Sequence, residues 1–188
     1  MDDIVKQAMA KWPNVPACYG WLGLDARGNW WLRDAAAQAA GGFANGAPGA
    51  RGSRIEHVKL AEFIGRNYLH DARGCWYFQN GPQQVFVELE ATPWIWRMQM
   101  QAREIRIHSH TGTALPSADV QRVLVDEGGV VYLVAPIGIG MVHTQDVLDV
   151  SAALDAGLLP AADEVRRETL ALNYGFVSSP AQLASAAS

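Results

Sequence analysis

Three times the chain sets an aspartate three residues ahead of a glycine and then runs into aromatic or β-branched residues. The segments are residues 24–32 (Leu-Asp-Ala-Arg-Gly-Asn-Trp-Trp-Leu), 70–78 (His-Asp-Ala-Arg-Gly-Cys-Trp-Tyr-Phe) and 125–133 (Val-Asp-Glu-Gly-Gly-Val-Val-Tyr-Leu). Aspartate favours the first position of a tight turn and glycine tolerates the positive φ at its end, so each segment predicts a β-hairpin. The first two share the tetrapeptide Asp-Ala-Arg-Gly. Their loose period, roughly 45–55 residues, is not that of a solenoid. Either one turn is used three times for the same purpose, or two related modules repeat a structural plan.

The densest stretch is 69–100, where Asn80-Gly81, the strongest short hairpin signal, divides strands near 75–79 and 84–90. Thr92-Pro93 then separates a further strand at 94–100, because the residue before proline is pushed out of helical space. In 84–90, Val85, Val87 and Leu89 fall on one face and Phe86, Glu88 and Glu90 on the other, an alternation that suits a sheet covered on one side. More strands are expected at 105–110, 120–125 and 130–134, with a turn at Thr111-Gly112 and a turn region at 136–140 that leads into Met141-Val-His143.

Helices are expected at 3–12, with Ile4, Val5, Ala8, Met9 and Trp12 on one stripe, and briefly at 34–40 behind an Asp34 cap. Another runs from the capping box Ser53…Glu56 to Asn67. Thr144 caps a further helix that Gly157 ends, and a short one is expected at 162–172. Residues 41–52 are rich in alanine and glycine and predict a mobile loop, since little in them offsets the entropy of ordering. The loop has no Gly-Lys-Ser/Thr terminus to cradle phosphate. The predicted fold class is α+β: antiparallel curved sheets packed with helices, in two related modules that share a core. The division falls at residues 1–92 and 93–188, with a tail that frays from about residue 178.

Composition narrows the function classes. A hydrophobic share of 49% with seven tryptophans excludes wholesale disorder, and a net charge of −4 argues against a basic nucleic-acid surface. No run reaches the roughly 20 apolar residues of a spanning helix, so no membrane partner is expected. The start, Met-Asp-Asp, does not resemble a signal peptide, and Cys18 and Cys75 stand in no ligand spacing. A reduced, cytoplasmic protein without a cofactor is expected.

The segment 76–96, with Trp76-Tyr-Phe78 followed by Pro82-Gln-Gln-Val-Phe-Val-Glu-Leu-Glu-Ala-Thr-Pro93-Trp-Ile-Trp96, resembles the central motif of a proteobacterial domain-of-unknown-function family. The hairpin at 25–32, the helix after it and, more loosely, His110-Thr-Gly-Thr113 extend the likeness over about residues 20–156. The residues at 41–52 and the carboxyl end depart from it. The resemblance implies two related α+β modules with a binding or signal-transduction role. It carries no catalytic residues to transfer.

Several residues could carry chemistry. On a strand, His108 and His110 share a face with imidazoles roughly 6–7 Å apart, and with His143 they are candidate metal ligands. The competing reading makes His108 and His110 solvated strand residues continuing the charged run Arg103, Glu104 and Arg106. Glu88 and Glu90 could pair for acid–base work, although a solvated sheet face is the stronger reading of them. Cys75 near Arg73 could be an activated thiolate or a buried apolar residue. Trp30 and Trp31 must point to opposite faces, whereas Trp94 and Trp96 share one with Met98 and Met100. All four indoles are candidate ligand-binding residues, and the Trp/Met stripe is otherwise core. The leading expectation is a non-enzymatic module binding a small ligand or a protein partner. The alternatives are a metal-dependent enzyme using His108, His110 and His143, and a structural homodimer.

Overall fold

The Asp-x-x-Gly segments close their hairpins with one device. Asp71 donates its backbone N–H to the Cys75 carbonyl (3.0 Å), and its own carbonyl accepts from Gly74 (3.1 Å). Its Oδ1 accepts from the amides of Arg73 and Cys75, both at 2.9 Å. Asp126 makes the equivalent bonds to Val130, Gly129 and Gly128. Asp25 donates its backbone N–H to the Asn29 carbonyl (3.0 Å) and takes the Asn29 amide on Oδ1 at 2.8 Å. Gly28, Gly74 and Gly129 stand at φ 81°, 79° and 76°, the left-handed region that a Cβ disfavours. A fourth copy begins at Ser109, whose Oγ accepts from Thr111 and Thr113 while Gly112 takes φ 83°.

In the computed structural model, residues 1–102 and 104–186 are described, so Arg103 and the last two tail residues lie outside them. The chain forms two units. The first comprises Met1–Asp25, Asn29–Glu90 and the chain from Phe176 onward; the second comprises Ala26–Gly28 and Ala91–Gly175.

The first unit contains helices α1 (Asp3–Lys11), α2 (Ala35–Ala39) and α3 (Val58–Arg66). Its strands are β1 (Cys18–Leu24), β2 (Trp30–Leu32), β3 (Ser53–Arg54), β4 (Tyr68–His70), β5 (Trp76–Asn80) and β6 (Gln83–Leu89), in the sheet order β3-β2-β1-β6-β5-β4. Two antiparallel meanders meet where β1 lies parallel to β6, with Leu22 beside Val87 and Gly23 beside Glu88. The second unit contains β7 (Trp94–Gln101), β8 (Glu104–Ser109), β9 (Ala114–Leu115), β10 (Arg122–Asp126), β11 (Val131–Ala135), β12 (Gly138–Val142) and β13 (Ala162–Val165). Helices α4 (Val147–Asp155) and α5 (Leu170–Asn173) belong to it as well. Its sheet, β13-β10-β11-β12-β7-β8-β9, has the same connectivity: the first strand of one meander, β7, runs parallel to the last strand of the next, β12. The fold is α+β in two modules. The sheets are antiparallel within each meander and parallel at the seams, and β13 adds one more parallel edge to β10.

Some local expectations change. Ser53-Arg54 is a strand on β2, not a capping box, and α3 begins instead at His57, whose Nδ1 accepts from the Leu60 amide at 3.2 Å. His143 does the same for the turn before α4, in place of Thr144. Residues 162–165 are drawn into strand pairing by the open edge of β10, which leaves a shorter helix after them. Residues 180–186, read as a fraying tail, form α6 (Pro180–Ala186), with Phe176 and Pro180 buried. Of the apolar stripe on α1, Val5 is buried, while Ile4 and Trp12 are exposed.

One face of the first sheet carries Leu22, Leu24, Trp30, Tyr68, Phe78 and Val87, all buried, beneath Ile64 of α3. Phe63 meets Phe78 edge-on at 5.4 Å. In the second unit Trp94, Trp96 and Met98 form a buried stripe on β7. A Cβ on Gly140, directly beside Trp94, would stand 2.2 Å from the Trp96 indole nitrogen, so glycine there is a packing requirement.

Asp126 ties the edge of the second sheet together. Its Oδ2 accepts from the Tyr132 hydroxyl (2.8 Å) and Arg167 Nε (3.0 Å). Burial pushes the Asp126 carboxyl up, but the Val130 amide, the Tyr132 hydroxyl, the Gly128 amide and the Arg167 charge outweigh it and hold the group below its ordinary range. Burial pushes the Tyr132 phenol up to about 12. A carboxylate depressed in the folded state stabilises the fold above its unfolded pKa of about 3.9, and that contribution is lost as pH falls through the folded value. Asp126→Asn should therefore cost about 2 kcal/mol at neutral pH and flatten the fall in stability below about pH 4. Urea denaturation at pH 7 and pH 3 reads both effects.

Candidate functional site

The other face of the first sheet is also covered, and this is where charge is buried. Gly23 has no side chain, and the ring of Phe43 occupies the vacant place: a Cβ on Gly23 would lie 2.4 Å from it. Phe43 and Ala50 are buried, 3% and 1% exposed, so the Ala/Gly segment folds over the sheet rather than forming the mobile loop expected from its composition. What holds it is Arg33, one residue past β2 and itself only 3% exposed. The guanidinium donates from Nε to Ala50 O (2.7 Å) and from Nη1 to Gly20 O (3.1 Å). From Nη2 it reaches Ala37 O (3.3 Å) and Gly41 O (2.5 Å). Four of its five N–H donors thus serve backbone carbonyls. Burial pulls the Arg33 pKa below its usual value, against the supporting charge of Glu88.

Glu88 sits on β6 beside Gly23 and is 4% exposed. It is therefore not on a solvated sheet face. The returning C-terminal segment seals it: Ser179 Oγ donates to Glu88 Oε2 at 2.5 Å, and the Ala181 amide donates to Oε1 at 3.0 Å. Around it, Arg51 pairs with Glu90 and lies over the rings of Trp31 and Phe43, at 6.0 and 5.6 Å. The Trp31 indole donates to Asp25 Oδ2 (2.9 Å).

Between α2 with its following loop and α6 lies an open cleft of about 530 Å³. Arg33, Gln38 and Gly41 line one side, Ser179, Gln182 and Ser185 the other, and Glu88 lies between them. Arg33 and Glu88 carry opposite charges into one cleft, yet neither donates to nor accepts from the other; each is bonded elsewhere. The lining contains no histidine or cysteine, and the Ser179 hydroxyl is already bonded to Glu88 and Gln182. The arrangement can orient a polar molecule by hydrogen bonds, and it presents no nucleophile with a free base.

The residues nominated by sequence are spread more widely. Trp30 is core and Trp31 half-buried in the first unit; Trp94 and Trp96 are buried in the second, 8% and 0% exposed. The Trp94 indole donates to Ile137 O (2.8 Å) and that of Trp96 to Leu133 O (3.4 Å), which marks them as structural. His108 is exposed, opposite Arg97 on the solvated face of β7–β8. His110 Nδ1 accepts from the Ile95 amide and His143 Nδ1 from the Gln145 amide, so those two lone pairs are engaged by backbone. Among the described residues no three His, Cys, Asp or Glu side chains are grouped to hold a metal ion. Cys75 is 1% exposed, and burial, with the Asp71 charge, pushes its thiol up against the weaker pull of Arg73. Such a thiol is a packing group.

Residues 1–182 match the family model described as "Protein of unknown function (DUF2946)", and the chain belongs to that family. No curated protein matches it. Among solved structures it is similar to a DUF1285 family protein from Silicibacter pomeroyi DSS-3, at 11% identity and TM-score 0.47 over 73% of this chain and 71% of that one. It is also similar to a DUF1285 family protein from Shewanella baltica OS155, at 14% identity and TM-score 0.45 over 74% of this chain and 97% of that one.

Arg33→Lys tests the keystone role. An ammonium cannot span four carbonyls, so the variant should lose about 3 kcal/mol of stability in chemical denaturation. Amide exchange at Ala47 and Ala50, whose N–H groups bond to the Ala40 and Ala47 carbonyls, should quicken at the same time.

Proposed function

We propose that this DUF2946 chain is a non-enzymatic binding module, and that the cleft of its first unit receives a small polar ligand whose occupancy is read out in signal transduction. The observation that carries this is the pair of buried opposite charges, Arg33 and Glu88, lining one open cleft without bonding to each other. Their charges balance, so an anion or cation gains no net attraction, and the walls favour a neutral or zwitterionic molecule. Gln38 and Gln182 face it with amides that both donate and accept, and Ser185 adds a hydroxyl. Arg33 has one N–H beyond the four it uses, and each Glu88 oxygen has a lone pair beyond its single bond. A ligand with neighbouring acceptor and donor groups matches both. The shared strand connectivity of the two units supports a structural repeat in which the first carries the ligand site.

A thermal-shift screen against amino acids, amides, sugars and nucleosides tests this reading. A ligand at 100 times its Kd should raise Tm by about 5–10 °C. The double variant Gln38→Ala/Gln182→Ala should keep the unliganded Tm within about 2 °C and lose most of that rise. No hit across the set, or a hit indifferent to the double variant, would overturn it.

A further inference from the structure

The cleft has one wall that belongs to a separate piece of chain. Gly175 is the last residue of the second unit and Phe176 the first of the returning segment. Ser179, Ala181, Gln182, Ser185 and Ala186 of that segment line the cleft, so without it the cleft is half a site. The segment is fastened by hydrogen bonds and by α6 packed against β1 and β6. The Val177 amide donates to Gly74 O (3.0 Å) and the Leu89 amide to Ser178 O (2.8 Å). Glu88 takes the Ser179 hydroxyl and the Ala181 amide. Phe176 and Pro180 are its buried anchors, while Gln182, Leu183, Ser185 and Ala186 are exposed. The sheet beneath is held by its own ladders, and β6 bonds on both sides to β1 and β5.

We infer that residues 176–186 form a detachable strap that latches on Glu88, undocks as a unit while the sheet stays folded, and by docking completes the ligand site. The latch converts a buried carboxylate from a liability into a holding point. With the strap off, Glu88 is open to water and needs neither partner; with it on, both bonds form out of water, where charge-assisted bonds are strongest. The coupling to ligand rests on the binding role proposed above; the undocking does not. A ligand touching both walls binds the docked form more tightly. Reciprocity then requires that it shift the docking equilibrium toward the docked form by the same factor by which docking raises its affinity.

Amide hydrogen exchange on the full chain without ligand tests the strap by itself. The amides of Ala181 and Leu89 should exchange at least tenfold faster than those of Tyr77 and Phe78 on β5, which open only with the sheet. Ser179→Ala removes one bond to Glu88 and the serine bond to the Gln182 amide. It should raise exchange at Ala181 about tenfold and leave the β5 amides unchanged. Glu88→Gln, which keeps the shape and weakens both bonds, should act in the same direction. Exchange of the strap and β5 at one common rate, in the parent chain and in both variants, would overturn the inference, because the segment would then be an integral part of the sheet. A thermal-shift screen that finds no ligand bears on the binding role and leaves this outcome readable. If a ligand is found, it should slow strap exchange in proportion to its occupancy; a bound ligand that leaves strap exchange unchanged would refute the coupling.

Discussion

The first unit depends on one buried guanidinium. Residues 41–52 offer little apolar surface beyond Phe43 and Ala50, and their composition favours disorder. Laid over a sheet, their backbone carbonyls leave water and need donors, at a cost of about 1–3 kcal/mol for each one left unmet. Arg33 donates to two of them, Gly41 and Ala50, and to Gly20 and Ala37 alongside, all from a single planar group that is not spent on an ion pair with Glu88. Desolvating the guanidinium is expensive, and the return is spread over four bonds rather than concentrated in one. Phe43 then finds its place because Gly23 leaves one, directly beside Glu88. Loop, sheet and buried acid are thus arranged in sequence from one side chain.

The second constraint is the turn. Asp25, Asp71 and Asp126, and Ser109 in their manner, set hairpin register within five residues. They do so by satisfying the turn's own amides with a side-chain oxygen. Register errors in a half-buried strand flip every side chain to the wrong face, so a local device that prevents them does the work of many long-range contacts. The parallel seams between β1 and β6 and between β7 and β12 are the non-local part of the design. They join meanders whose registers are already set.

Much of this was legible in advance where the physics is local. The Asp-x-x-Gly segments, the Asn80-Gly81 turn, the Asp34 cap and the glycine at 157 follow from bonds within a few residues, and the structure has them. The Ser109 copy does not show in the Asp-x-x-Gly pattern because serine replaces aspartate. Glu88 was misplaced because strand alternation identifies a face and not what covers it, and the cover arrives from ninety residues away. Arg33 was overlooked for the same reason: in sequence it is one arginine after a short strand. The available signal is an arginine entering a stretch with few side-chain donors. The stripe of Trp94, Trp96 and Met98 is readable as core from alternation, and His108 as a solvated strand residue, whereas the cap roles of His57 and His143 are not, because Ser53 and Thr144 are the stronger cap signals.

The first unit is discontinuous along the chain, and that has a consequence for synthesis. Translation delivers residues in order, so Arg33, Glu88 and the six strands of the first sheet emerge before any part of the segment that seals them. The whole second unit must be made in between. Throughout that interval Glu88 faces water, and the cleft exists as one wall without the other. Of the two units, the first begins to fold earlier and is finished later.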